Sequence, residues 1–216
     1  MANIISLDKD SPAIQYLCKK DKRLAKVIQM VGPITYKTYD EDPYSFLVHE
    51  IIEQMLSIKA GAKIFSRLEE LCDGSITPEN VHSKTIEQLK STGTSQNKAT
   101  YIMSLTDSIL NKSLSLKELN DCSDDDVVKK LTHIKGIGNW TAKMYLIFVL
   151  DRQDVLPVED VAFLQSYKWL YKTDDTTVAS VYKRCKKWKP YSSIAARYLY
   201  RVLDTGLIKN EFHLHK

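Results

Sequence analysis

Glycine and proline are scarce in this chain, and most fall at the edges of amphipathic runs, the punctuation of a protein built almost wholly of helices. There are seven glycines and six prolines in 216 residues. Ser11-Pro12, Asp42-Pro43 and Thr77-Pro78 each place a capping oxygen before a proline suited to a helix's first position. Gly32, Gly74, Gly93 and Gly206 follow apolar-periodic stretches, as helix-stopping glycines do. Helices are therefore predicted near 12–30, 43–57, 61–73, 78–91, 96–111, 124–132, 139–150, 161–171, 175–187 and 191–204. No alternating pattern of convincing strand length appears, no linker or repeat interrupts the chain, and an all-α fold follows.

Several function classes drop out early. The longest unbroken apolar run, Met144 to Leu150, is far short of the roughly 20 residues a membrane helix needs. Lys9 and Asp10 stand close behind the short apolar start, which argues against a signal peptide and for an intracellular protein. Cys18, Cys72, Cys122 and Cys185 are too widely spaced to suggest a zinc or iron-sulfur site, and are expected to be reduced, mostly buried thiols. The histidines are scattered too, apart from His213 and His215, so a metal-dependent enzyme is disfavoured. Charge is uneven along the chain. Residues 164–216 carry eleven Lys/Arg against four Asp/Glu, a net +7, while the rest carries twenty against twenty-three, a net −3, together the overall +4. A basic last quarter suits a polyanionic partner, although a solvated lysine-rich helix surface would look the same.

The most informative stretch runs from Leu131 to Val161, LTHIKGIGNWTAKMYLIFVLDRQDVLPVEDV. Gly136 and Gly138 permit a tight turn between two short helices, and such a turn aims backbone amides outward where they can hold a phosphate oxygen. The pattern apolar-x-Gly-apolar-Gly-polar-x-Thr-Ala resembles the helix-hairpin-helix of base-excision DNA glycosylases, and Leu156-Pro157-Val158-Glu159-Asp160 resembles the proline-and-aspartate segment that follows it in that superfamily. Phe46–Leu68, Gly93–Ile102 and Trp188–Tyr200 are similar to further segments of the branch that excises alkylated purines, the 3-methyladenine DNA glycosylase II-like branch.

This resemblance implies an all-α, two-lobed fold with the active-site cleft between the lobes. One lobe spans approximately 35–150 and includes the hairpin 131–142; the other combines approximately 1–34 with 160–216. The smaller N-terminal β-domain of some members is not expected, because this chain begins almost directly with helices. The implied activity is monofunctional: a monomer that flips alkylated purines from duplex DNA and hydrolyses the N-glycosidic bond in base excision repair, without a cofactor, in the nucleus or a prokaryotic cytoplasm. Two rivals remain: a non-catalytic helix-hairpin-helix clamp on DNA, and a glycosylase of the same fold for oxidised or deaminated bases. Members with a C-terminal four-cysteine cluster are excluded by the cysteine positions.

Residue roles follow from the same match. Asp160 would be the catalytic carboxylate, because cleavage builds positive charge on the deoxyribose that a carboxylate can stabilise. Its neighbour Glu159 competes for the role, and a plain helix cap is the alternative for Asp160. Lys135, Gly136, Ile137, Gly138, Asn139 and Thr141 would hold the DNA backbone, with a monovalent cation conceivable at the carbonyls of Ile134 and Ile137; otherwise the segment is a packed turn. Met55 would fill the gap left by a flipped nucleotide, flanked by Gln54 and Ser57, unless it is a core methionine. Trp140, Trp188, Met144, Tyr145 and Tyr191 are candidates for a base pocket that favours cationic purines, though helical aromatics also build cores. Lys187 belongs to a basic run with Lys183, Arg184, Lys186 and Lys189, interleaved with Tyr182 and Trp188, that could follow phosphates or simply face water. Bifunctional relatives carry a lysine two residues after the second hairpin glycine, where this chain has Trp140, so strand cleavage through a Schiff base is not expected.

Overall fold

The structure, a computed structural model, describes residues 4–38 and 42–214; His215 lies outside them. The chain opens with β1 (Ile4–Leu7), α1 (Pro12–Lys20), α2 (Lys22–Val31) and β2 (Ile34–Lys37). Next come α3 (Pro43–Glu53), α4 (Ile58–Leu71), α5 (Pro78–His82), α6 (Ile86–Ser91), α7 (Gln96–Leu110), α8 (Asp124–Thr132) and α9 (Asn139–Met144). A π-helical turn at Tyr145–Val149 extends α9, and α10 (Val161–Tyr171), α11 (Val178–Cys185) and α12 (Ser192–Asp204) complete the fold. Two compact units result: Met1–Tyr39 with Asp151–Lys216, and Asp40–Leu150. No helix of the described residues is long and apolar enough to cross a membrane.

Among the described residues the fold is all-α apart from one antiparallel ribbon, in which Ile4 pairs with Lys37 and Leu7 with Ile34. That ribbon corrects the expectation of a chain without strands that opens on helices; each strand is four residues long, too short for alternation to register. Two long helices also prove to be pairs. The span 12–30 breaks at Asp21, whose Oδ1 accepts the amides of Arg23 and Leu24 at 3.0 and 3.3 Å and so starts α2 without any glycine or proline. The span 78–91 breaks before Thr85, which forms a reciprocal capping box with Gln88.

In the central unit, α3 buries Tyr44, Leu47, Val48, Ile51 and Ile52, the i, i+3, i+4, i+7, i+8 stripe of a core-facing helix. Leu68, Ile102, Leu105 and Leu131 complete that core with no exposure. In the terminal unit, α2, α10 and α12 bury Leu24, Val27, Phe163, Tyr167, Leu170, Leu199 and Val202 around Trp188. All four cysteines are unpaired; Cys72 and Cys185 are buried, whereas Cys18 and Cys122 are only half-buried.

Candidate active site and nucleic-acid interface

Asp160 is placed by a strap laced to the start of α12. Ser193 donates its amide to the Gln153 carbonyl and its hydroxyl accepts from Val155 N, both at 2.9 Å. Asp154 Oδ1 accepts the amide and hydroxyl of Ser192. Past the buried Val155, Leu156 and Val158, the Asp160 amide donates to the Pro157 carbonyl at 3.0 Å and the chain turns into α10. Asp160 is the N-cap of that helix, its Oδ1 accepting the Phe163 amide at 2.7 Å. Only 8% of Asp160 is exposed, while Glu159 faces solvent and Val161 is 78% exposed. The cap reading is therefore correct as far as it goes. It does not compete with a chemical role, since a carboxylate held by a backbone amide is fixed in one rotamer. Burial also separates the two neighbouring acids: Asp160 is nearly covered, whereas Glu159 faces solvent.

The hairpin between α8 and α9 uses its two glycines differently. Gly136 has φ +94°, and a Cβ there would lie 2.2 Å from Cγ of Tyr101, so both the turn and the ring packed on it require glycine. Gly138, at φ −99°, has ordinary backbone geometry and nothing within 4 Å of a built Cβ. Absence of a side chain at 138 leaves open surface beside the exposed Lys135 and Asn139. Ile137 and Thr141, at 4% and 1% exposure, anchor the turn in the core, so their contribution to an outside ligand is limited to main-chain atoms. The Ile134 carbonyl accepts the Ile137 amide at 3.1 Å. The described residues contain no cluster of His, Cys, Asp or Glu suited to a metal.

A second surface feature of the central unit lies where α3 ends. Met55 has φ +60° and is fully exposed at 102%, followed by Leu56 at 41% and Ile58 at 81%. The left-handed conformation costs an unbranched residue about 1–2 kcal/mol, and the buried-methionine alternative is excluded. Side chains brace the turn from behind. Lys98 Nζ donates to the carbonyls of Ile52 at 2.8 Å and Gln54 at 2.5 Å, and Gln54 Nε2 donates to the Gly136 carbonyl at 2.9 Å. Burial pulls the Lys98 ammonium below its usual pKa. Ser57 caps α4 by accepting the Ala60 amide at 3.3 Å. Lys98 and Tyr101 went unassigned at the sequence level although both lie in the Gly93–Ile102 segment; the family-like character of that segment was the available signal.

The aromatic candidates divide. Trp140 and Tyr191 are half-buried, with Tyr191 edge-on to Tyr16 at 5.5 Å, and Met144 retains 5% exposure. Trp188 and Tyr145 have no exposed surface at all, which corrects their assignment to a base pocket. Tyr145 packs edge-on against Phe46, and Trp188 Nε1 donates to Asp21 Oδ2 at 2.9 Å. Lys187 is drawn inward as well, its Nζ 3.0 Å from the same oxygen, which also accepts the Tyr171 hydroxyl. Burial by itself would raise the Asp21 pKa, but donation from Tyr171, Trp188 and Lys187 outweighs it and holds the carboxyl below its usual range. Lys187 is thus an ion-pair partner of a buried carboxylate while remaining, like Lys183, Lys186 and Lys189, an exposed residue, and Lys189 Nζ in turn lies 3.4 Å from Asp154 Oδ2.

Comparison with known proteins gives the family. Residues 48–190 match the model of the HhH-GPD superfamily base excision DNA repair protein family, and the chain belongs to that family. DNA-3-methyladenine glycosylase 1 of Schizosaccharomyces pombe is 29% identical, over 92% of this chain and 89% of its own length. The alkylbase DNA glycosidase-like protein mag2 of the same yeast is 30% identical, over 91% and 96%. Among solved structures, a DNA-3-methyladenine glycosidase from Bacillus halodurans superposes with a TM-score of 0.85 at 34% identity, covering 96% of both chains. The S. pombe 3-methyladenine DNA glycosylase Mag1, in complex with abasic DNA, gives 0.82 at 28% identity, covering 90% of this chain and 97% of that one.

Proposed function

We propose that this chain is a monofunctional DNA glycosylase that releases 3-methyladenine and related alkylated purines from duplex DNA. The observation that carries the reading is the buried Asp160 carboxylate, fixed at the start of α10 beside a solvent-facing Glu159, in a chain that matches enzymes named for 3-methyladenine over nearly its whole length. Breaking the N-glycosidic bond leaves positive charge on the deoxyribose. A fixed carboxylate stabilises that charge and orients the attacking water. An N-alkylated purine is itself a cationic leaving group, so no dedicated general acid is needed. The open backbone at Gly138, with Lys135 and Asn139, serves as a phosphate contact. Met55, a flexible apolar side chain held fully outside the core, wedges into the space vacated by the flipped nucleotide, offsetting part of the unstacking cost of a few kcal/mol. Trp140 offers a flat face to a cationic ring.

The reaction stops at base release. Trp140 stands where a Schiff-base lysine would be needed, and it has no amine with which to attack the sugar. Base release from a panel of methylated, deaminated and oxidised duplexes tests the substrate class, with methylated purines expected to be released fastest. Borohydride treatment during turnover should trap no protein–DNA adduct, and the abasic product should break only after added alkali. A trapped adduct would mean that another lysine supplies the amine.

A further inference from the structure

The Met55 turn and the hairpin are parts of one braced assembly, and Lys98 is the brace. The last carbonyls of a helix have no intrahelical partners, and an ammonium with three donors can bind more than one of them. Lys98 Nζ, reaching across from α7, takes the Ile52 carbonyl at 2.8 Å and the Gln54 carbonyl at 2.5 Å. Those carbonyls lie on either side of the point where α3 ends, immediately before the left-handed Met55. The Leu56 amide then donates back to the Glu53 carbonyl at 3.0 Å, closing the turn. Gln54 completes the assembly by donating its side-chain amide to the Gly136 carbonyl at 2.9 Å. The ring of Tyr101, one helical turn beyond Lys98 on α7, covers the same glycine.

We propose that Lys98 is a positioning residue for base extrusion: it holds the Met55 turn in its left-handed form and, through Gln54, in register with the hairpin backbone. The idea rests on the reading of Met55 as a wedge. A wedge acts only if it resists being pushed back by the base stack, and here nothing but backbone geometry directs an otherwise solvated side chain outward. Lys98 also places positive charge at the end of α3, where the helix dipole favours it. Contact with DNA is not required of it.

The test uses Lys98→Met, which keeps the length and apolar stem and removes the donors, and Lys98→Arg, which keeps charge and donors. In the free protein, hydrogen exchange at the Leu56 amide should quicken about tenfold or more in Lys98→Met and return toward wild type in Lys98→Arg. On methylated duplex under single turnover, Lys98→Met should slow base release about ten- to a hundredfold. In a Met55→Ala background the same change should cost less than about twofold, because two residues acting through one contact are not additive. Unchanged Leu56 exchange would overturn the brace, and a full Lys98→Met loss in the Met55→Ala background would overturn its action through Met55. Undiminished base release by Met55→Ala would remove the wedge and this role with it while leaving the glycosylase reading intact. That reading is judged separately, by base release from the wild-type protein.

Discussion

Asp21 and Asp160 are two buried aspartates, each the N-cap of a helix; Asp21 is the single residue between α1 and α2, and Asp160 follows the turn after Pro157. Around Asp21 the protein closes completely: two amides reach Oδ1, while Tyr171, Trp188 and Lys187 converge on Oδ2. Arg184 and Lys187 then lie over the Tyr171 ring at 5.0 and 5.4 Å. Asp160 accepts the Phe163 amide in the same way, but its sequence neighbours on both sides, Glu159 and Val161, face solvent. One carboxylate is interior architecture and the other lies at the edge of the surface. The same local signal, an acid before a helix, therefore serves two purposes, and the surroundings decide which.

Replacing each acid by asparagine separates the two purposes most sharply, because asparagine caps a helix about as well as aspartate. Asp160→Asn should retain the fold and DNA affinity yet lower the single-turnover rate of base release by about a hundredfold or more, the usual scale for losing a transition-state charge partner. Glu159→Gln should leave that rate nearly unchanged. The reverse pattern, a crippled Glu159→Gln and a mild Asp160→Asn, would move the catalytic role to the solvent-facing acid and dissolve the contrast.

Asp21→Asn should do the opposite, costing about 2 kcal/mol of stability through weakened hydrogen bonds to a lost charge, with base release per folded molecule unaffected. Its pH dependence has a definite sign. Since the native carboxyl titrates below its unfolded counterpart, its contribution is complete above the unfolded value of about 4 and disappears as pH falls through the native value. Urea melts of wild type and variant should therefore be well separated at pH 7 and converge below about pH 4. A constant gap would show that the loss comes from packing around Trp188 and not from the charge.

The aspartates also mark what could be read from the chain alone. Caps paired with proline gave the starts of α1, α3 and α5, because proline and an oxygen-bearing residue leave a local signature. The break at Asp21 was hidden, since a cap flanked by lysines in Lys20-Asp21-Lys22 looks like any solvated helix segment. The four-residue strands were hidden by their brevity. Local geometry was legible where a backbone device demanded a residue type, as in the turn at Gly136 and the helix cap at the acid after Pro157. Site residues were illegible where burial decides: Trp188 and Tyr145 read as candidates for a base pocket or as core and are core, while Met55 read nearly as well as core and is fully exposed. Lys98 could not be assigned because its two acceptors lie more than forty residues away in sequence.

The smallest expected effect carries the inside-versus-surface contrast to the hairpin glycines. At Gly136 any side chain meets the Tyr101 ring and must adopt φ +94°, so Gly136→Ala should damage the fold itself. Gly138 has neither constraint, with φ −99° and empty space where a Cβ would go. Gly138→Asp should therefore leave the melting temperature close to wild type while setting a negative charge where the backbone meets phosphate. Affinity should fall about tenfold at low salt, some 1.4 kcal/mol, and by the same factor on undamaged and methylated duplexes, because phosphate contacts carry no sequence information. Screening weakens that repulsion, so the difference from wild type should narrow as salt is raised, while both proteins lose affinity steeply through counterion release. Fluorescence anisotropy across a salt series measures both slopes. A variant that binds as tightly as wild type at every salt concentration would show that the open face at Gly138 points away from the DNA.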